Sequence, residues 1–369
     1  MDYIMSKYLT KSLILAIAFN LIASNALACT GIVLHAQDGA TIPARTMEFS
    51  FDVQSNILII PAGTKINKLI MDDENQGGSY TAKYGFTGAN ALDKPIVVDG
   101  VNEKGLYFGA FYFNHLAEFE QLTDANRSEA ISSEELGNYI LSQFQSVAEV
   151  KEALPELTLV GTWIKEINSF APFHYAVSDS DGDSVVIEFT KAGLNIYDNT
   201  VNVVTNNPTY DWHLTNLNNY VGLTAENRGS QMVGRQKVSP FGEGTGLFGM
   251  PGDHTSPSRF VRATAFANSS LPQKTADDAV FSAFHILNHF DIPKGSIREG
   301  IKDDLSTDYT VWTSVVDTQN PTYYYKTYIS QQVEKIDLVK ALKGLTEPKT
   351  IRMESGFSVK DRSQYWSTD

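Results

Sequence analysis

Cysteine is almost missing from this 369-residue chain: Cys29 stands alone. A single thiol excludes any disulfide within the chain, and in an exported protein it leaves a reactive thiol as one of the standard explanations. Positive charge is also short, with 29 lysines and arginines against 43 aspartates and glutamates and a net charge of -14. That balance, with no basic stripe to offset it, argues against nucleic acid as a partner because a phosphate backbone would be repelled. Past residue 28 there is no run of the roughly 20 apolar residues needed to cross a bilayer, so no stable membrane insertion is expected of the remainder. Internal repeats and low-complexity linkers are absent too, which leaves residues 29–369 as a single expected domain. Metal motifs fail as well. Asp179-Ser180-Asp181-Gly182-Asp183 lacks the glycine a calcium loop needs at its sixth position and reads as a hairpin turn between two strands. His285 and His289 stand four apart on a predicted helix, with neither a glutamate after His285 nor a third ligand. No metal and no cofactor are expected.

What is present begins with the leader. Lys7 and Lys11 make a basic start, Ser12 to Ile22 an apolar run, and Ala26-Leu27-Ala28 fits the small-residue rule for signal cleavage. Residues 1–28 are therefore read as a signal peptide, and the rest as a periplasmic or secreted protein beginning at Cys29. The competing use of the same residue is lipid attachment, which would make the chain a membrane-anchored binding protein. Leu27 fits a lipidation signal poorly.

The body of the chain has 42% hydrophobic and 20% charged residues, as in ordinary globular proteins. Short strands are predicted at Thr30–His35, Thr41–Met47, Asn56–Ile60, Gly105–Phe113, His174–Ser178 and Ser184–Phe189, with a late hairpin formed by Tyr309–Asp317 and Thr322–Tyr328 around Asn320-Pro321. Ser133–Leu154 and Thr275–Phe290 place apolar residues at helical spacing. Strand blocks with helices between them indicate an α+β fold of antiparallel sheets covered by helices. The acidic clusters Asp72–Glu74, Glu134–Glu135 and Asp303–Asp304 are expected to be solvated surface, and Gly242–Gly252 a loop lining a pocket.

A thiol at a mature N-terminus lies beside a free α-amine, whose ordinary pKa of about 7.7 to 8 lets it accept a proton near neutrality. One residue then supplies both nucleophile and base. Such a site also needs a cation to favour the thiolate, a carboxylate to place the amine, and donors for the tetrahedral oxyanion.

Cys29-Thr30-Gly31, Arg45-Thr46-Met47-Glu48-Phe49 and Asp99-Gly100-Val101-Asn102-Glu103-Lys104-Gly105-Leu106 resemble the choloylglycine hydrolase and penicillin V acylase family. Thr205-Asn206-Asn207-Pro208, Asp211-Trp212-His213, Pro251-Gly252-Asp253-His254-Thr255 with Ser258-Arg259-Phe260, Asp308-Tyr309-Thr310 and Tyr323-Tyr324-Tyr325 extend the likeness in order along nearly all of residues 29–369. The resemblance implies the four-layer αββα sandwich of N-terminal nucleophile hydrolases. It further implies Cys29 as nucleophile, Arg45 beside the thiolate, Glu48 in place of the family's usual Asp to hold the amine, Asn206 and the backbone near Asn114 as oxyanion donors, and Arg259 as a second site arginine. Phe49, Phe51, Phe111 and Phe113 are the aromatics expected to line an apolar acyl pocket. The implied partner is a small-molecule amide: penicillin V or an N-acyl homoserine lactone, which the bacterial character of the leader favours, or a conjugated bile salt. Assembly into a homo-oligomer is also in keeping with the family.

Overall fold

The computed structural model describes residues 28–70, 78–165, 169–298, 306–353, 356–357 and 359–363. Residues 1–27 of the leader, Asp72–Glu74 and Asp303–Asp304 lie outside the described residues. Two antiparallel sheets dominate. One has six strands in the order Val203–Val204, Cys29–His35, Thr41–Phe49, Tyr309–Asp317, Thr322–Thr327, Glu334–Asp337. The other has eight: Gly193–Asp198, Ser184–Thr190, Phe173–Ser178, Tyr107–Tyr112, Val97–Asn102, Phe86–Asn90, Asn56–Ile60, Lys349–Arg352. Helices Ser256–Ser269 and Ala276–Leu287 pack on the first sheet and Leu136–Gln143 on the second. The result is the αββα sandwich. Its central strands are covered on both faces, which is why Thr41–Met47 carries buried residues at every position instead of alternating.

The expected strands all form, each within two residues of the predicted limits. Two helical expectations change. The Ser133–Leu154 segment breaks into Leu136–Gln143 and Val147–Ala153, because the Ser146 hydroxyl accepts the Glu149 N–H and caps a new helix. The long helix Ser256–Ser269 was not anticipated, although Thr255-Ser256-Pro257 has the N-cap and early proline that commonly start one.

Glu134 and Glu135 are buried rather than solvated. Glu135 accepts the Leu69 N–H at 2.7 Å and the Tyr80 hydroxyl at 3.1 Å, and burial pushes its carboxyl up to about 7. The glycine-dense stretch is mostly open. Gly242, Gly244, Gly249 and Gly252 have nothing within 4 Å of where a side chain would sit, and Phe241 and Phe248 beside them are exposed. Two points tie the stretch down: Gly246 is buried, where a Cβ would run into the Thr224 and Glu226 carbonyl oxygens, and the Pro251 carbonyl accepts from Arg262 Nη1 at 3.0 Å.

Gly137 governs how closely the Leu136–Gln143 helix approaches its sheet. A Cβ there would run into the Val97 carbonyl oxygen and come within 2.8 Å of the Phe108 ring. Helix propensity alone would make Gly137→Ala stabilising by about 1 kcal/mol. The contact with the sheet backbone should reverse that sign, and we expect a net loss of roughly 1–3 kcal/mol in denaturant melts.

Candidate active site

Cys29 opens its strand and pairs across to Met47, so its side chain sits where the Thr41–Phe49 strand delivers Arg45 and Glu48. Cys29 is buried, and Sγ accepts a hydrogen bond from Arg45 Nη2 at 3.0 Å. The guanidinium is itself fully buried and held on several sides. Nη1 donates to the Ala110 carbonyl, Nε to the Thr46 carbonyl at 3.3 Å, and its central carbon lies 4.3 Å from the centre of the Phe111 ring and 5.4 Å from that of Trp312. Burial works against its charge, but Cys29, Asp99, Tyr107 and Glu48 outweigh that and hold the proton more firmly than usual.

The Cys29 nitrogen is a peptide nitrogen here, still joined to Ala28, and it stands in for the α-amine that cleavage would release. It donates to Asn206 Oδ1 at 2.6 Å. Arg259 reaches the same oxygen with Nη2 at 2.7 Å, while its Nη1 donates to the Cys29 carbonyl and to the Thr30 hydroxyl, the latter at 2.8 Å. Arg259 therefore grips the backbone of Cys29 and the amide of Asn206 together. Burial lowers its affinity for the proton, with Glu48 and Cys29 opposing. Asn206 Nδ2 donates to the Tyr112 carbonyl at 2.7 Å, and its second N–H has no acceptor among the described residues. The Asn114 N–H has no acceptor among the described residues, while the Asn114 carbonyl takes a bond from Asn207 Nδ2 at 2.5 Å.

Glu48 is buried beside these groups. Oε1 accepts the Thr310 hydroxyl at 2.8 Å, and Oε2 has no hydrogen-bond partner among the described residues. The Thr46 hydroxyl lies close enough to favour the charged carboxylate without completing that bond. Desolvation dominates and raises the carboxyl to about 7, against the pull of Arg259, Thr46, Thr310 and Arg45.

With this arrangement in view, the comparisons are direct. The sequence profile of the linear amide C–N hydrolases, choloylglycine hydrolase family, matches residues 29–351. The chain belongs to that family. It is 34% identical over 334 residues to a bile salt hydrolase/transferase of Clostridium perfringens, covering 90% of this chain and 98% of the relative. A penicillin V acylase of Pectobacterium atrosepticum is 27% identical, over 88% of this chain and 84% of its own length. The crystal structure of a mutant conjugated bile acid hydrolase from Clostridium perfringens superposes with a TM-score of 0.81 at 33% identity, covering 90% of this chain and 99% of that one. The family is one of hydrolases acting on linear amide C–N bonds, and the sandwich is the N-terminal nucleophile hydrolase type.

Cys29, Arg45, Glu48, Asn206 and Arg259 converge in the structure of this family member, and Asn114 lies one residue from Phe113 at the same edge. The aromatics divide differently from expectation. A pocket of about 380 Å³, open space at its mouth included, is lined by Cys29, Met47, Glu48, Phe49, Tyr112 and Phe173 among others. Phe49 is there, with Phe51 edge-on to it at 4.6 Å and 39% exposed. Phe111 and Phe113 are not. Phe111 supports Arg45 and fills the space left by Gly31, and Phe113 stacks on His174.

Two groups that stand in the quoted motifs were given no role from the sequence. Asp99 is buried and accepts the Tyr107 hydroxyl at 2.7 Å, the Ser314 hydroxyl at 2.6 Å and the Tyr323 hydroxyl at 2.8 Å. Burial raises its carboxyl, opposed by Arg45 and these hydroxyls. Its signal was available: an aspartate amid the apolar strand Val97-Val98-Asp99-Gly100-Val101 needs a buried reason. His213 places Nε2 2.9 Å from the Asn206 carbonyl, and burial lowers it to about 4, so it is neutral and donates.

The raised Glu48 carboxyl makes a sign-definite prediction for the uncleaved chain. A buried acid that holds its proton more tightly when folded stabilises fully below its unfolded value of 4.5 and loses that contribution as pH rises through about 7. Between pH 5 and 8 the uncleaved protein should lose about 2–3 kcal/mol relative to Glu48→Gln, measured by denaturant unfolding. Parallel pH profiles for the two proteins would show that Glu48 is ionised throughout.

Proposed function

We propose that this chain is an exported N-terminal cysteine amidohydrolase, active once residues 1–28 are removed, that cleaves the linear amide between an apolar acyl group and a small amine. The observation that carries the reading is the 3.0 Å contact from Arg45 to the sulfur of Cys29, a residue that lines an apolar pocket. The freed α-amine takes the thiol proton, and the thiolate, beside the guanidinium, attacks the amide carbonyl. Negative charge then builds on the carbonyl oxygen, where the spare Asn206 Nδ2 proton and the Asn114 N–H are the donors at hand. The α-ammonium returns its proton to the departing amine as the C–N bond breaks, and water hydrolyses the resulting thioester to release the acid. Glu48 Oε2, without a partner while Cys29 is peptide-bonded, is the acceptor suited to the new ammonium.

Likeness reorders the substrates considered from the sequence. The 34% identity to a bile salt hydrolase/transferase against 27% to a penicillin V acylase puts conjugated bile salts first, ahead of penicillin V and N-acyl homoserine lactones. Lipid attachment at Cys29 is disfavoured because the residue is 2% exposed with its sulfur against Arg45.

Intact mass of the exported protein decides the first point. A chain beginning at unmodified Cys29 that takes up one thiol probe is expected, and a mass increased by acyl chains would replace this reading with a membrane-anchored protein. Cys29→Ser should keep the fold by circular dichroism while lowering amide turnover on the order of a thousandfold, because a serine alkoxide is scarcely populated at neutral pH. Undiminished turnover in that variant would end the thiolate mechanism.

A further inference from the structure

We propose that His174, backed by Glu188, is a positioning residue that holds both donors of the oxyanion site in place. The inference rests on the amidohydrolase reading above and concerns residues that touch neither the sulfur nor the acyl pocket. His174 lies on the Phe173–Ser178 strand with its side chain 2% exposed. Its Nε2 is 2.9 Å from the Thr205 carbonyl oxygen, and a carbonyl can only accept, so this nitrogen carries a proton. Thr205 is the residue before Asn206. The face of the imidazole stacks on the Phe113 ring, 4.4 Å between centres and 7° from parallel, and Phe113 is the residue before Asn114. A single side chain thus braces the two backbone segments that carry the two donors.

The imidazole is fixed in turn. Nδ1 is 3.3 Å from Glu188 Oε1 on the neighbouring strand Ser184–Thr190, and that oxygen also accepts the Tyr210 N–H at 2.9 Å. Glu188 is fully buried, and its other oxygen has no partner among the described residues. An apolar pair would fill this space without the cost of burying a carboxyl and an imidazole. The polar pair instead aims one N–H at one carbonyl and fixes the ring plane. Two shorter ties complete the brace, from Asn206 Nδ2 to the Tyr112 carbonyl at 2.7 Å and from Asn207 Nδ2 to the Asn114 carbonyl at 2.5 Å. On the far side of the loop His213 holds the Asn206 carbonyl.

The test separates oxyanion stabilisation from general damage by pairing two reactions of the same sulfur in the processed enzyme. Amide hydrolysis passes through a tetrahedral oxyanion, whereas alkylation of Cys29 by iodoacetamide displaces iodide at carbon and forms none. His174→Phe keeps the stack and removes both hydrogen bonds. It should lower kcat roughly 10- to 100-fold, with KM and the alkylation rate each within about twofold of wild type, because small displacements of oxyanion donors act on the transition state alone. His174→Gln, which retains an N–H for Thr205, should recover about tenfold of that loss. An unchanged kcat in His174→Phe, or an alkylation rate that falls in step with kcat, overturns the inference. If His174→Phe does not fold, Glu188→Gln decides: the same split between hydrolysis and alkylation is expected at smaller size, and unaltered hydrolysis overturns the inference. A wild-type enzyme that is alkylated at Cys29 yet cleaves none of the amides would sink the functional reading, and this inference with it.

Discussion

A guanidinium with no access to water, 3.0 Å from a thiol, is the interaction on which the rest of the molecule depends. An isolated buried cation would cost several kcal/mol, so the fold must surround Arg45 with compensation. It does so from both sheets. Ala110 and Phe111 come from the eight-stranded sheet, Trp312 and Thr46 from the six-stranded one, and Asp99 supplies negative charge across the gap, itself satisfied by three hydroxyls. Because Ser314 is the cross-strand partner of Arg45 and also donates to Asp99, the pairing register of the sheets and the electrostatics of the site are a single arrangement.

Arg259 performs a different task with the same chemistry. It arrives from a helix rather than a strand, and binds the Cys29 carbonyl and Asn206 instead of the sulfur. Two buried arginines flank one buried glutamate, and desolvation still prevails at Glu48. Were the chain cut before Cys29 as proposed, the ammonium released beside that carboxyl would add the positive charge that the buried acid is missing.

The aromatic residues show why face matters more than residue type. Phe111 and Phe113 read as pocket lining, yet both are spent on support, one beneath Arg45 and the other against His174. The pocket takes Phe49, Tyr112 and Phe173 in their place. Chain proximity to the site did not predict which face the Tyr107–Tyr112 strand would turn toward the sulfur, since that is set by the strands beside it.

The sequence by itself singled out Cys29 as the candidate chemical centre, a lone thiol behind a cleavage-like Ala26-Leu27-Ala28 whose rival use is lipid attachment. It also determined eight of the fourteen strands in the two main sheets, from local alternation and turn residues, and the ordered motifs that carry Arg45, Glu48, Asn206 and Arg259. The break at Ser146 and the burial of Glu134 and Glu135 were not legible, since capping against a continuous apolar period and the partners of a carboxylate depend on what packs nearby. Tertiary structure alone decided that Asp99 balances Arg45 and that His174 reaches Thr205 and Phe113 at once. Asp99 is 54 positions from Arg45 in the chain, and His174 is 61 from Phe113. Hydrogen bonds and charge act over a few ångströms of space, and only the closing of two sheets on one another brings such groups within that range.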